Sequence, residues 1–128
     1  MRRQRARRFH GNARFAVVPS VWFETFGIVE IDATLQGRTA FASRIDALSD
    51  IVDDDVTGLH VAPGNALDLI EKVRTLWNQP DRCRTLGIAA RVKALQEYTG
   101  ERVLDRFMEC YEGALSDAQA KRMLPANV

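Results

Sequence analysis

The fold is decided by one stretch of sequence, Pro19-Ser20-Val21-Trp22-Phe23-Glu24-Thr25-Phe26-Gly27-Ile28-Val29-Glu30-Ile31-Asp32-Ala33. The apolar run 15–18 precedes it and ends at a proline, which is typical of a short buried strand. Ile28, Ile31 and Leu35 then follow at helical spacing, and this pattern predicts a helix from about Gly27 to Gln36. The stretch is therefore predicted to be a strand end, a polar loop and the start of a helix.

The rest of the chain repeats this alternation of strands and helices. Asn65 is a plausible N-cap for the clearest helical pattern, because an acid, Asp68, stands three residues on. Each connection between strands is about a dozen residues or longer, as parallel crossovers require. The sequence predicts an α/β fold with a small three-stranded parallel sheet and trailing helices. Beyond strand 15–18 and the helix at 27–36, the predicted elements are strands 39–42 and 58–61 and helices 47–52, 66–77, 81–95 and 99–115.

Loops at the carboxyl ends of parallel strands, where helices begin, are the usual ligand sites of such folds. Phe26-Gly27-Ile28 opens the helix, so its free backbone N–H groups can meet a phosphate, and Gly27 allows close approach. Glu24 can accept hydrogen bonds from sugar hydroxyls, and Asp32 can accept from a ribose. The alternative is that Glu24 is a solvated loop acid, that Asp32 is an exposed helix residue, and that the nearby aromatic residues serve packing.

Composition predicts a globular chain of one domain at most. The chain has 128 residues, of which 46% are hydrophobic and 27% are charged. No apolar run approaches the roughly 20 residues of a membrane span, and no signal-peptide core follows the N-terminus. We therefore expect a cytoplasmic protein, with the inner membrane face as a peripheral alternative.

Metal and redox functions have no support in the sequence. Cys83 and Cys110 lie 27 positions apart, and His10 and His60 have no partners at ligand spacing. We expect two buried thiols and no metal site.

The positive charge is concentrated in the N-terminal segment 1–14. Six of the 18 basic residues are arginines before position 15, and residues 15–128 carry a net charge of −5. An arginine run can bind nucleic acid, anionic lipid or a targeting receptor. No aromatic residue is interleaved between Arg2 and Arg8, and Phe9 is the only Phe, Tyr or Trp in the segment, so nucleic acid is the least favoured partner. The alternatives are a solvated flexible tail or the end of a surface helix.

The order of motifs in this chain resembles the large retaining glycosyltransferase family 4, whose fold is GT-B. The resemblance rests on Pro19-Ser20, on Glu24 and Asp32 with seven residues between them, and on Phe26-Gly27-Ile28. It continues through Ala42-Ser43, Thr57-Gly58-Leu59 and Pro63-Gly64 to Tyr111. It implies a partial nucleotide-sugar-binding domain at 15–115, a basic flexible tail at 1–14 and a frayed tail at 116–128.

The resemblance also implies a function for each residue of the motif. Glu24 would contact the donor sugar and stabilise positive charge at its anomeric carbon. The backbone of Phe26, Gly27 and Ile28 would receive the sugar and the diphosphate, and Asp32 would hold the ribose. The reaction would transfer a glycosyl group to an acceptor hydroxyl with retention, with no cofactor beyond the donor and no tightly bound metal.

Departures from the family pattern, and the extent of the resemblance, weaken the expectation of activity. Asp32 stands where the family usually has Glu, Thr39 replaces a usual Pro, and 46–50 lacks the usual Gly-Gly-x-Pro-Glu. The resemblance covers only the last half of the C-terminal domain, so the acceptor domain and half of the diphosphate site are missing from it. Two hypotheses follow: a donor-binding fragment that is inactive alone, or a non-catalytic binding or interaction module. Both predict that strand 15–18 has an unpaired edge.

Overall fold

A computed structural model describes residues 8–123, which include a three-stranded parallel sheet and helices that contact it. Residues 8–12 are helical, and the next elements alternate as predicted. The arginines before residue 8 and the end of the predicted C-terminal tail lie outside the described residues. The elements are β1 (Ala16–Val18), α1 (Ile28–Leu35), β2 (Ala40–Ser43), α2 (Asp46–Ile51), β3 (Gly58–Val61), α3 (Ala66–Trp77), α4 (Pro80–Glu97) and α5 (Gly100–Met123).

The three strands lie in the order β1-β2-β3, and both pairs are parallel. Val17 is in register with Phe41, and Phe41 is in register with Leu59. Within residues 8–123, β1 pairs on its β2 side alone, so the predicted unpaired edge is confirmed. The predicted α/β class with three parallel strands is confirmed as well.

The main hydrophobic core lies between one face of the sheet and helices α3 and α4. Phe41 is fully buried at its centre, and the partly buried Phe15 packs on it edge to face at a centroid distance of 4.9 Å. Burying such a side chain contributes about 1.5–3 kcal/mol relative to leaving it exposed. The buried members of this core are Phe41, Leu59, Val61, Leu76, Cys83 and Leu86.

Helix α1 turns an unexpected face toward the protein interior. Its buried residues are Glu30, Ala33 and Thr34, whereas Ile28 is 65% exposed. The predicted apolar face of Ile28, Ile31 and Leu35 is therefore not the buried one. Ala33 and Thr34 are small, which lets α1 contact β1 and β2 closely, whereas Ile28 and Val29 are exposed and Ile31 and Leu35 are half-buried.

Helix α3 begins at its predicted N-cap, and α4 contains a glycine that packs closely against another segment. The Asn65 side chain accepts a 3.1 Å hydrogen bond from the Asp68 N–H, so the predicted N-cap is confirmed. Gly87, which reads as a weak point in a helix, is a packing position instead. A Cβ at Gly87 would lie 2.3 Å from the carbonyl oxygen of Gly37, so only glycine permits this approach.

The chain divides into two units, at residues 1–95 and 96–128. In the second unit, α5 continues past Ser116 to Met123, whereas the sequence predicts fraying from that point. The added residues Ala118 to Arg122 are mostly strong helix formers, which explains the extension. Every residue of α5 from Gly100 to Arg122 is exposed. No helix within residues 8–123 combines the length and apolar character that a membrane span requires.

Candidate functional site

The candidate site is built on the loop that joins the carboxyl end of β1 to the first turn of α1. Gly27 is the N-cap of α1 and has a left-handed backbone with φ of 57°. A Cβ at this position would lie 2.5 Å from Cδ1 of Ile51, a side-chain end that can shift, so the left-handed backbone is the main reason for glycine here. Glycine at this position therefore follows from local geometry.

Glu24 is held against the start of α1. Its Oε1 accepts a 3.3 Å hydrogen bond from the backbone N–H of Gly27. No side chain caps α1, so the N–H groups of its first turn have no intrahelical partner and remain available for an anion. The structure thus brings Glu24, Gly27 and the amino end of α1 together.

The aromatic residues of the loop do not pack into the described part of the chain. Trp22, Phe23 and Phe26 are 82%, 81% and 71% exposed, respectively. Their interpretation as packing residues is wrong for residues 8–123. With Ile28, they give the site an apolar rim instead, and aromatic faces of this kind can stack on rings of a ligand.

Asp32 lies one helical turn beyond Ile28 and is exposed. It forms no hydrogen bond or ion pair with a residue in 8–123, and no contact joins it to Glu24. It lies at i+4 from Ile28, so the two residues share one side of α1. The structure therefore places Asp32 on the surface near the site, with its carboxylate unpaired as far as residues 8–123 are concerned.

Glu30, which lies within the first turn of α1, is a buried acid that no sequence pattern indicated. Glu30 is fully buried, and neither of its carboxylate oxygens has a hydrogen-bond partner within the described residues. Burial raises the pKa of this carboxyl to about 7. An acid in the first turn of a helix is common on the surface, and for this reason nothing in the sequence singled it out.

The described residues offer no cluster of metal ligands. Residues 8–123 contain no group of three or more His, Cys, Asp or Glu side chains that could hold a metal ion. Cys83 is buried as predicted, and burial raises the pKa of its thiol. Cys110 is exposed on α5, so the prediction of two buried thiols is wrong for this residue. Cys110 lies on the part of α5, Gly100 to Arg122, in which every residue is exposed.

This arrangement defines a class of protein. A parallel sheet whose first strand leads through a glycine turn into an uncapped helix start is typical of α/β domains that bind phosphorylated ligands. A comparison with known families agrees with this class, because the sequence model of the family "Glycosyl transferases group 1" matches residues 2–93. The chain belongs to this family, and the predicted GT-B glycosyltransferase membership is confirmed.

Characterised relatives are much longer than this chain. It is 31% identical over 101 residues to the alpha-maltose-1-phosphate synthase of Mycolicibacterium smegmatis, an alignment that covers 74% of this chain and 26% of the relative. It is also 31% identical over 119 residues to the D-inositol 3-phosphate glycosyltransferase of Nocardia farcinica, covering 88% and 26%. The chain therefore spans about a quarter of the length of these relatives.

Solved structures share the fold. HepE of Anabaena, crystallised in complex with UDP, superposes with a TM-score of 0.77 at 20% identity, covering 82% of this chain and 29% of HepE. The sucrose-phosphate synthase of Thermosynechococcus elongatus gives a TM-score of 0.77 at 28% identity, covering 85% and 27%.

Proposed function

We propose that this chain is the donor-binding part of a retaining glycosyltransferase and that it binds a nucleotide-diphosphate sugar at the loop between β1 and α1. The observation that carries the proposal is the uncapped start of α1, with Glu24 held on the N–H of the left-handed Gly27. Free N–H groups at a helix start suit a diphosphate, and a fixed carboxylate beside them suits sugar hydroxyls. Family membership and a relative crystallised with UDP support the same ligand class.

Each residue then has one part in the proposed reaction. Glu24 contacts the donor sugar and stabilises positive charge that develops at its anomeric carbon. The backbone of Phe26, Gly27 and Ile28 receives the sugar and the diphosphate, and Asp32 accepts hydrogen bonds from the ribose. The glycosyl group moves to an acceptor hydroxyl with retention, and no metal ion is bound tightly.

The chain alone is proposed to lack turnover. Stabilisation of a transition state requires groups arranged around the developing charge before reaction, and the chain corresponds to about a quarter of its relatives' length. The proposed partner is the remaining part of such an enzyme, either as a continuation of the chain or as a separate polypeptide. The proposed location is the cytoplasm, with peripheral association at the inner membrane face as a variant.

Titration calorimetry with UDP-, GDP- and ADP-sugars tests donor binding by the chain alone. We expect saturable binding of one nucleotide class. Glu24→Gln should weaken it about tenfold or more, because hydrogen bonds to charged groups contribute about 1.5–3 kcal/mol. Glutamine keeps an oxygen for the Gly27 N–H, so the helix start should survive. Asp32→Asn should weaken nucleotide binding by a similar factor.

Glu71→Gln is the matched control, because Glu71 is exposed on α3, away from the loop. Binding that is equally strong in Glu24→Gln, Asp32→Asn and the control would remove both acids from the site.

The alternative function is a non-catalytic binding or interaction module. The specific observation that favours it is the exposed aromatic loop together with the free edge of β1. The absence of calorimetric binding to every nucleotide sugar tested would favour this alternative over the donor-binding proposal.

A further inference from the structure

A cavity lies at the end of the sheet opposite the β1–α1 loop. It has a volume of about 320 Å³ and lies where β1 and β2 begin, beside the amino end of α4. Arg14, Arg38 and Arg84 line it together with Gly37 and Pro80. Its volume falls at the lower end of the range of about 300–1,000 Å³ that is typical of ligand pockets.

The charge of this cavity is not balanced by the described part of the chain. No Asp or Glu is among its lining residues, whereas three arginines are. Arg44, Lys72, Arg82 and Lys93 each form an ion pair with an aspartate, but none of the three cavity arginines does so within residues 8–123. Three like charges around one cavity repel one another unless a counterion is present.

Two of the arginines are positioned by the fold. Arg14 donates from Nη1 to the carbonyl oxygen of Trp77 at 2.8 Å, and its guanidinium lies 4.5 Å from the centroid of the Trp77 ring. Arg38 donates from Nη2 to the carbonyl oxygen of Gly11, while its buried Nε has no acceptor within the described residues. These contacts use only part of the five donors on each guanidinium.

Arg84 is exposed and forms no hydrogen bond or ion pair within residues 8–123. Arg84 can therefore donate hydrogen bonds to a tetrahedral oxyanion that also contacts the two positioned arginines. Arginine is suited to phosphate because its planar fork donates two parallel hydrogen bonds.

We propose that this cavity binds a phosphate group, through Arg14, Arg38 and Arg84, at a site separate from the loop that carries Glu24. The phosphate belongs either to a free phosphorylated small molecule or to the headgroup of an anionic lipid, because both offer the same oxyanion chemistry. Its binding neutralises charge that residues 8–123 leave uncompensated.

Inorganic phosphate is the first probe, titrated into the full chain and followed by backbone NMR shifts. We expect saturable shifts at Asn12, Gly37 and Arg84 with a Kd of about 1 mM or tighter. Arg84→Gln should weaken binding about tenfold, because charged hydrogen bonds are lost while no internal contact is disturbed. Arg74→Gln, on the exposed side of α3, removes the same charge elsewhere and should leave Kd unchanged.

Vesicles distinguish the two sources of phosphate. Cosedimentation with vesicles that contain phosphatidylglycerol, but not with pure phosphatidylcholine, supports the proposal with a lipid source if Arg84→Gln reduces it and Arg74→Gln does not. Phosphate binding without cosedimentation supports it with a soluble source. Absence of both would overturn the proposal, and so would equal losses in the two variants, which would indicate a general effect of net charge. Because Glu24→Gln leaves this cavity intact, failure of donor binding and failure of this site are separable.

Discussion

Glu30 is a single buried residue that lowers the stability of the folded protein when its carboxyl is ionised. Its carboxyl is fully buried, both oxygens lack partners within the described residues, and burial raises its pKa to about 7. In the unfolded chain the same group titrates near 4.5. The folded state therefore binds a proton that the unfolded state releases between these two pH values.

The consequence for stability has a definite sign. Below pH 4.5 the carboxyl is protonated in both states and imposes no ionic penalty. As pH rises from 4.5 to about 7, stability is lost, and above 7 the loss is constant. At about 1.4 kcal/mol per pKa unit, the total is about 3 kcal/mol. Desolvation by burial is the cause of the raised pKa of Glu30.

Glu30→Met should remove this penalty. We expect the variant to exceed the wild type in free energy of unfolding by an amount that grows by about 3 kcal/mol between pH 4.5 and 7. Urea denaturation across this range measures the difference, and Glu71→Met on the surface is the control. A difference that does not change with pH would show that Glu30 titrates normally in the folded protein.

At the scale of elements, replacing a helical glycine by alanine is predicted to change stability in opposite directions at two positions. Gly87 of α4 meets the backbone of Gly37, and a Cβ there would lie 2.3 Å from a carbonyl oxygen that cannot move freely. Gly87→Ala should therefore destabilise by about 1–3 kcal/mol, the usual effect of overpacking. The expected readout is a lower urea midpoint with an unchanged slope.

Gly113 of α5 has no atom within 4 Å of an added Cβ. Gly113→Ala should therefore gain about 0.5–1 kcal/mol of helix stability, because alanine has the higher helix propensity. Circular dichroism at increasing temperature measures the melting of α5. Loss of helix in Gly113→Ala would mean that this glycine has a packing partner.

The sequence predicts elements well where local chemistry decides them. β3 occupies the predicted residues, and α3 begins at its predicted Asn65 cap, because strand periodicity and capping are local signals. Prediction from the sequence fails where packing between elements determines which residues are buried. The buried face of α1 includes Glu30, and the close contact at Gly87 depends on a loop 50 positions away in the sequence. Neither has a local signature.

The same division applies to the candidate site. Gly27 and Glu24 were predicted from a motif, and their contact follows from backbone geometry over three residues. The exposure of Trp22 and Phe23 was not predicted, because an apolar residue in a sequence does not reveal whether a surface exists to cover it. The arginine cavity was missed for a related reason: its members come from three separate segments.

At the scale of the whole molecule, a free strand edge and exposed apolar side chains occur in the same unit. β1 pairs on one side only within residues 8–123, and its central Val17 is 41% exposed. An unprotected edge of this kind is a template for pairing with another chain. The isolated chain should therefore associate as its concentration rises.

Val17→Lys tests whether the strand edge drives this association. A lysine at an edge strand opposes pairing, and its long aliphatic stem can cover the apolar surface that valine covered. We expect the association constant, measured by sedimentation equilibrium, to fall about tenfold with a change in stability of about 1 kcal/mol or less. Val92→Lys is the control, because Val92 is 50% exposed on α4 and lies away from the edge. Equal reduction in both variants would assign the association to apolar area in general. A wild-type chain that stays monomeric at every concentration would show that the edge of β1 does not drive association.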